Sequence, residues 1–181
     1  QLRGWMRAHP RVGAAALFCA SAQAMQSLAR NPERLGASLG FLGVLHTWSR
    51  TLGYHPHIHY LVPGGGLSEG DERWIATAKD FLLSFVPLGE HFANLLRAQL
   101  HKQAPEALAV LPSAIWRRQW WVHTKAVGNG EKALGYLSRY VFKTATGNRR
   151  LPVYRDGRIG WPYRDSKSGQ PRCIKFQRHE L

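Results

Sequence analysis

Three histidines stand at alternate positions in the segment GYHPHIHYLV: His55, His57 and His59. In a β-strand alternate side chains share one face, so these imidazoles point one way while Pro56, Ile58 and Tyr60 point the other. Two imidazoles two residues apart on a strand can bind one divalent ion from the same side. Imidazole suits several such ions, and an ion that works on phosphate is commonly Mg or Mn. A third ligand is needed. His46, in the preceding apolar segment VLHTW, can approach the same ion if its strand pairs antiparallel with the histidine strand through the loop 49–54. His55 is the nearer rival and Glu131 a distant one. The bland alternative is a histidine-rich strand with satisfied ring nitrogens, and zinc hydrolases of several kinds carry the same HxH spacing.

A second group lies in GYLSRYVFK, where Tyr136 and Tyr140 are four residues apart. On a helix they stack on one face, one turn apart, and Lys143 extends that face. A tyrosine pair at this spacing is by itself an ordinary packing face. Beside a metal site it meets the needs of phosphodiester transfer. A tyrosine oxygen is a weak nucleophile unless it loses its proton or the phosphate is polarised, and a divalent ion does the second. The product is a 5′-phosphotyrosine and a free 3′-hydroxyl. The phosphodiester energy is retained, so a second DNA end can be joined without ATP. Two tyrosines allow two covalent ends to be handled in turn.

The elements that must position these groups follow from pattern. Residues 11–30 read as a helix stopped by Asn31-Pro32. Residues 39–48 are short, apolar and glycine-punctuated, which predicts a buried strand, with 55–62 as its neighbour and 63–66 as a turn. Residues 72–86 and 88–102 read as helical or mixed, 115–123 as a strand and 131–144 as a helix. In the tail, Asp156-Gly157 and Ser168-Gly169 are turns joining short strands into a meander of hairpins. The expectation is an α+β fold in one domain over 1–181. It has a helical part at 1–38, the metal and tyrosine core at 39–144, and a basic meander at 145–181.

Charge points to the substrate. The chain has 181 residues, 25 Lys and Arg against 11 Asp and Glu, and a formal net charge of +14. A field of that sign implies a polyanion, and nucleic acid comes first because phosphate contacts dominate such binding. An anionic membrane is the weaker reading, since no apolar run approaches a membrane span and no lipidation motif adjoins a basic tail. The basic excess starts inside the tyrosine helix. From Leu137 to Leu181 there are eleven bases and three acids (11 − 3 = +8), against five acids and two bases from Ser68 to Glu90 (2 − 5 = −3). Arg149, Arg150, Arg155 and Arg158 are the candidate DNA contacts, and Trp120 or Trp121 could stack unpaired bases. Cys19 and Cys173 have no CxxC spacing, so neither a zinc ribbon nor a disulfide framework is expected, and a reducing cytoplasm is the default.

The segments HTWSRTLGYHPHIHYLVPGGGLS and ALGYLSRYVFK together resemble the two-tyrosine HUH transposases of bacterial rolling-circle insertion sequences, the family of insertion sequence ninety-one. The histidine–hydrophobic–histidine motif falls on His57-Ile58-His59, and the YxxxY motif on Tyr136 and Tyr140. The resemblance runs from about Arg11 to about Phe176. It implies an HUH-nuclease fold, a central antiparallel sheet with packed helices. It also implies metal held by His57 and His59, and DNA attacked by the tyrosines. The substrate it implies is single-stranded DNA at transposon ends and target, in the bacterial cytoplasm. The third ligand varies in that family, so His46 rests on the residues alone. Members usually carry a Cys-rich zinc module before this domain and helical sequence after it, so the chain reads as a piece of a longer protein. The alternatives are a plasmid replication initiator or relaxase of the same chemistry, and a non-catalytic single-stranded DNA-binding domain.

Overall fold

The computed structural model describes residues 2–49, 51–70, 73–79, 82–141, 152–165 and 167–177, with backbone alone at Tyr136, Leu137, Arg139, Tyr140, Val141 and Arg155. Helix α1 (Leu2–Ala8) leads into α2 (Pro10–Arg30) through His9, whose ring stacks on Trp5 at 4.6 Å. The sequence reading starts its helix at Arg11 and has no counterpart to α1. Pro10 sits at the start of α2, where its missing N–H would have no helical partner. The buried face of α2 is made of small residues, Gly13, Ala16, Ala20, Ala24 and Ala29, with Leu17 and Met25 among them. Small residues let α3 (Phe85–Gln103) pack closely on α2 with Leu88, Ala93, Leu96 and Leu100. Leu96 and Leu100 are fully buried, each contributing about 1.5–3 kcal/mol.

By length and composition α2 is also apolar enough to cross a membrane, contrary to the expectation that no run approaches that length. Its buried residues fall on one face, within two apolar clusters shared with α3 and the strands, which is the pattern of a core helix.

The strands are short and every pairing is antiparallel, as the α+β reading expects. They fall into three ladders among the described residues. β2 (Leu42–Trp48) pairs with β3 (Tyr54–Leu61). β1 (Ala37–Ser38), β4 (Gly65–Ser68) and β5 (Trp74–Ala76) form a second ladder. The third is the tail: β6 (Val153–Arg155), β7 (Arg158–Arg164) and β8 (Pro171–Gln177). In it Asp156 and Gly157 have φ of 53° and 72°, the paired positive values of a tight hairpin turn.

Three local expectations are corrected. Gly65 and Gly66 belong to β4 and not to a turn; a Cβ at Gly66 would strike the Ser38 carbonyl, so glycine is there to let β1 and β4 approach. Residues 72–86 contain strand β5, which pairs with Gly65–Leu67, and become helical at Phe85. Residues 115–123 form no strand. A single 3₁₀ turn at Ser113–Ile115 is followed by Trp116 and Trp120, whose rings stack 6.0 Å apart, and Trp120 packs edge-on against Phe92 of α3. The helix expected at 131–144 is α5 (Gly130–Val141), and 142–144 lie outside the described residues. The helix expected at 88–102 is α3, followed directly by α4 (Pro105–Val110).

One contact sets how the histidine strand is held. Gly43 of β2 lies opposite Tyr60 of β3, and a Cβ at Gly43 would come within 2.6 Å of the Tyr60 ring and 3.1 Å of Phe18. The bare glycine lets Tyr60 lie across β2 and reach Ser21 of α2, with the two hydroxyl oxygens 2.7 Å apart. Ser21 gives its own proton to the Leu17 carbonyl at 2.6 Å, so Tyr60 is the donor to Ser21. Gly43→Ala therefore overpacks the face that anchors the strand pair. A destabilisation of about 1–3 kcal/mol is expected, read as a lower urea midpoint at unchanged slope.

Candidate metal centre

The β2–β3 register decides which side chains meet. His46 lies directly opposite His57, and Val44 opposite His59. Directly opposed residues share a face, so His46, His57 and His59 project from one side of the ribbon. The cross-strand pair Leu45 and Ile58 projects from the other and packs into the apolar cluster of α1, α2 and α3. One nitrogen from each of His46, His57 and His59 lies within 4.8 Å of the others, with all three rings half-buried. The His46 ring centroid is 5.4 Å from that of His57 and 4.7 Å from that of His59.

The choice between His46 and His55 comes from a bulge. His46 pairs with His57, but Trp48 pairs with Tyr54, so β3 carries one residue more than β2 between those rungs. His55 and Pro56 occupy that extra length. Proline is tolerated there because a bulge needs no ladder donor. His55 contributes through its backbone: its carbonyl accepts a hydrogen bond from Nδ1 of His57 at 2.6 Å. That bond places the proton on Nδ1 and leaves the lone pair of Nε2 for a ligand, the usual outer partner of a metal-binding histidine. Nε2 of His57 and Nε2 of His59 are 3.1 Å apart. The His55 imidazole is itself pushed toward neutrality, first by burial, then by the charge of Arg3 and by His57. Glu131, in the first turn of α5, is exposed and outside the cluster.

The donor set fits a divalent ion. It consists of three imidazoles converging from two adjacent strands, one with its tautomer fixed by a backbone carbonyl. His46, His57 and His59 could hold such an ion.

Helix α5, which carries Tyr136 and Tyr140 one turn apart, contacts both β2 and β3. The topology thus brings the two groups that the sequence separates by some eighty residues (136 − 57 = 79) to one strand pair. Of the other candidates, Lys143, Arg149 and Arg150 lie outside the described residues, as does the side chain of Arg155. Arg158 is exposed at the start of β7. Trp120 is a packing residue, its indole nitrogen buried, while Trp121 is exposed at 83% and is the one of the pair available for stacking.

The sequence reading missed two things here. The Pro56 inside an otherwise regular strand was the available signal for the bulge. The Arg3/Arg7 spacing of four was the available signal for a basic helix before α2; that this helix, α1, stands beside β3 had none.

Residues 40–181, which include the three histidines, α5 and the basic meander, match the profile of a protein family described as "Putative transposase". The "Putative transposase y4qJ" of Sinorhizobium fredii is 32% identical over 170 residues, covering 84% of this chain and 43% of that protein. The "Transposase for insertion sequence element IS801" of Pseudomonas savastanoi pv. phaseolicola is 31% identical over 147 residues, covering 69% of this chain and 33% of that protein. The chain spans less than half the length of either relative. No solved structure matches it. On the match over 40–181, the chain belongs to this family of transposases.

Proposed function

We propose that this chain carries the nicking and strand-transfer chemistry of a rolling-circle transposase, cutting single-stranded DNA at transposon ends and target through a 5′-phosphotyrosine intermediate. The observation that carries the reading is the convergence of His46, His57 and His59 on a strand pair contacted by the helix of Tyr136 and Tyr140. The other face of that pair packs on α1 and α2, which leaves the histidine side for the scissile phosphate. The relative named for an insertion sequence supports mobile DNA as the setting. The free thiols of Cys19 and Cys173 suit action at DNA in the bacterial cytoplasm.

In this reading the phenolic oxygen of Tyr136 or Tyr140 attacks the scissile phosphorus and gives up its proton. The bond from phosphorus to the 3′-oxygen breaks, and that oxygen leaves as a 3′-hydroxyl after taking a proton. His46, His57 and His59 would hold the divalent ion, which when bound would supply Lewis-acid polarisation of the phosphate. Attack of a 3′-hydroxyl on the phosphotyrosine reverses the step and joins a new end.

Three imidazoles with no carboxylate beside them among the described residues favour Mn over Mg, because Mg prefers oxygen ligands and retains its water. The testing experiment is nicking of an end-labelled single strand bearing the terminal sequence of the parent element. A free 3′-hydroxyl on one fragment and protein on the 5′ end of the other is the expected product, with Mn effective at a concentration roughly tenfold or more below Mg. Two protein-free fragments would instead mean hydrolysis, and equal cleavage in EDTA would remove the ion from the reaction.

A further inference from the structure

Beyond the bulge, the β2–β3 ribbon meets the two N-terminal helices around a cleft of about 240 Å³ lined largely by Met6, Pro10, Ala14, Leu45, Trp48 and Tyr54. Thr47 and Pro56 also line it; as chain neighbours of His46 and His57 they face the opposite side of the ribbon, so a strand reaching both sites passes around the ribbon's edge. The volume is far above the ~30 Å³ share of a water molecule and below the roughly 300–1,000 Å³ of drug-sized sites. It suits one planar ring system.

The rim is aromatic and basic. Trp48 is 40% exposed, and its ring meets Tyr54 edge-on at 5.7 Å. The Arg7 guanidinium lies 5.9 Å from the Trp48 ring centroid. Arg3 is one turn before Arg7 on α1, so both present charge on the same side of the helix. Neither arginine has an ion-pair partner among the described residues. Two guanidinium groups, one of them against a partly exposed indole, beside an apolar slot form the pairing that single-stranded nucleic acid uses, with charge for the backbone and a ring for the base.

We propose that this cleft is a nucleobase subsite: one unpaired base of the DNA strand inserts against Trp48, while Arg7 and Arg3 hold the adjoining phosphates. The proposal rests on the single-stranded DNA reading above and adds where on the protein a base is held. It also extends the DNA surface to the N-terminal helix, away from the C-terminal arginines.

The test is equilibrium binding by fluorescence anisotropy in EDTA, so that no cleavage intervenes. The probes are labelled oligothymidine and an abasic deoxyribose-phosphate chain of equal length. Wild type should bind oligothymidine more tightly than the abasic chain. Trp48→Ala should weaken oligothymidine binding about tenfold or more, in the range for loss of one stacked base, and leave the abasic chain unchanged. Trp48→Phe should retain most of the affinity. Ala14→Leu narrows the cleft from α2 and should cause the same base-dependent loss. Arg7→Ala should weaken both probes and reduce the salt dependence of binding by about one phosphate contact. Base-dependent affinity that survives both Trp48→Ala and Ala14→Leu would overturn the subsite and leave the transposase reading intact. Equal weakening of both probes by Trp48→Ala would assign Trp48 to the fold and equally overturn it. Absence of any single-stranded DNA binding by wild type would sink the underlying reading.

Discussion

The double variant Tyr136→Phe/Tyr140→Phe is expected to form no covalent protein–DNA adduct with a cognate single strand and Mn or Mg. Wild type should give a species that survives denaturation. Each substitution removes one hydroxyl and keeps the ring, so any loss of stability should stay near or below about 1 kcal/mol per site. The melting temperature provides that control. Each single variant should retain partial cleavage, because the other hydroxyl is one helical turn away on the same face. Peptide mapping of the wild-type adduct should find DNA on Tyr136 after the first cut, with Tyr140, nearer Lys143 in sequence, serving the second.

The other tyrosines give the assay its contrast. Tyr60 is a hydrogen-bonded, half-buried phenol whose pKa is pushed up, first by burial, so that it ionises less readily. Tyr54 donates to the Met6 carbonyl at 3.2 Å. Tyr154 and Tyr163 sit on the C-terminal meander, on β6 and β7. DNA attached to any of these four, or an adduct persisting in the double phenylalanine variant, would overturn the assignment of α5 as the nucleophile helix.

The second large effect concerns the histidines. His57→Ala and His59→Ala should each abolish cleavage, and His46→Ala should do so as well because it removes one of three converging nitrogens. Affinity for single-stranded DNA should change by less than about threefold in each, since basic residues and not the ion carry most of that binding. His55→Ala should behave differently. It deletes a ring outside the cluster and keeps the backbone carbonyl that fixes His57, so cleavage should fall by less than about tenfold, within what outer-shell changes cost. Chelation with EDTA should stop the wild-type reaction, and added Mn should restore it. Cleavage by the His57→Ala/His59→Ala double variant at the wild-type rate would dispose of the metal centre. His55→Ala as damaging as His46→Ala would move the third ligand to the bulge.

Local pattern alone determined a good deal of this protein. Strand alternation put His57 and His59 on one face, because the side-chain period of a strand is two whatever it pairs with. The excess of positive charge named a polyanion. Helix α2 followed from periodicity with Asn31-Pro32 as its stop, and the Asp156-Gly157 turn from the left-handed preference of those residue types. The two motifs in one chain identified the family before any coordinates.

What tertiary structure decided was everything that depends on register and on close approach. Whether His46 or His55 joins the pair turned on one inserted residue in β3. That bulge follows a loop in which Leu52 takes φ of 60°, a conformation that a leucine gives no sequence signal for. Pairing registers are set by partners far along the chain, such as Gly43 beneath Tyr60 and Tyr60 on Ser21. The tryptophans divided for the same reason: Trp120 is partly buried, its backbone crossing α3 at Gly89, and Trp121, one residue on, is left in solvent. The N-terminal helix shows the largest gap between the two levels. Its composition is unremarkable as text, and only the fold lays Arg7 over Trp48 next to the histidine strand, because contacts between residues some forty positions apart have no local signature.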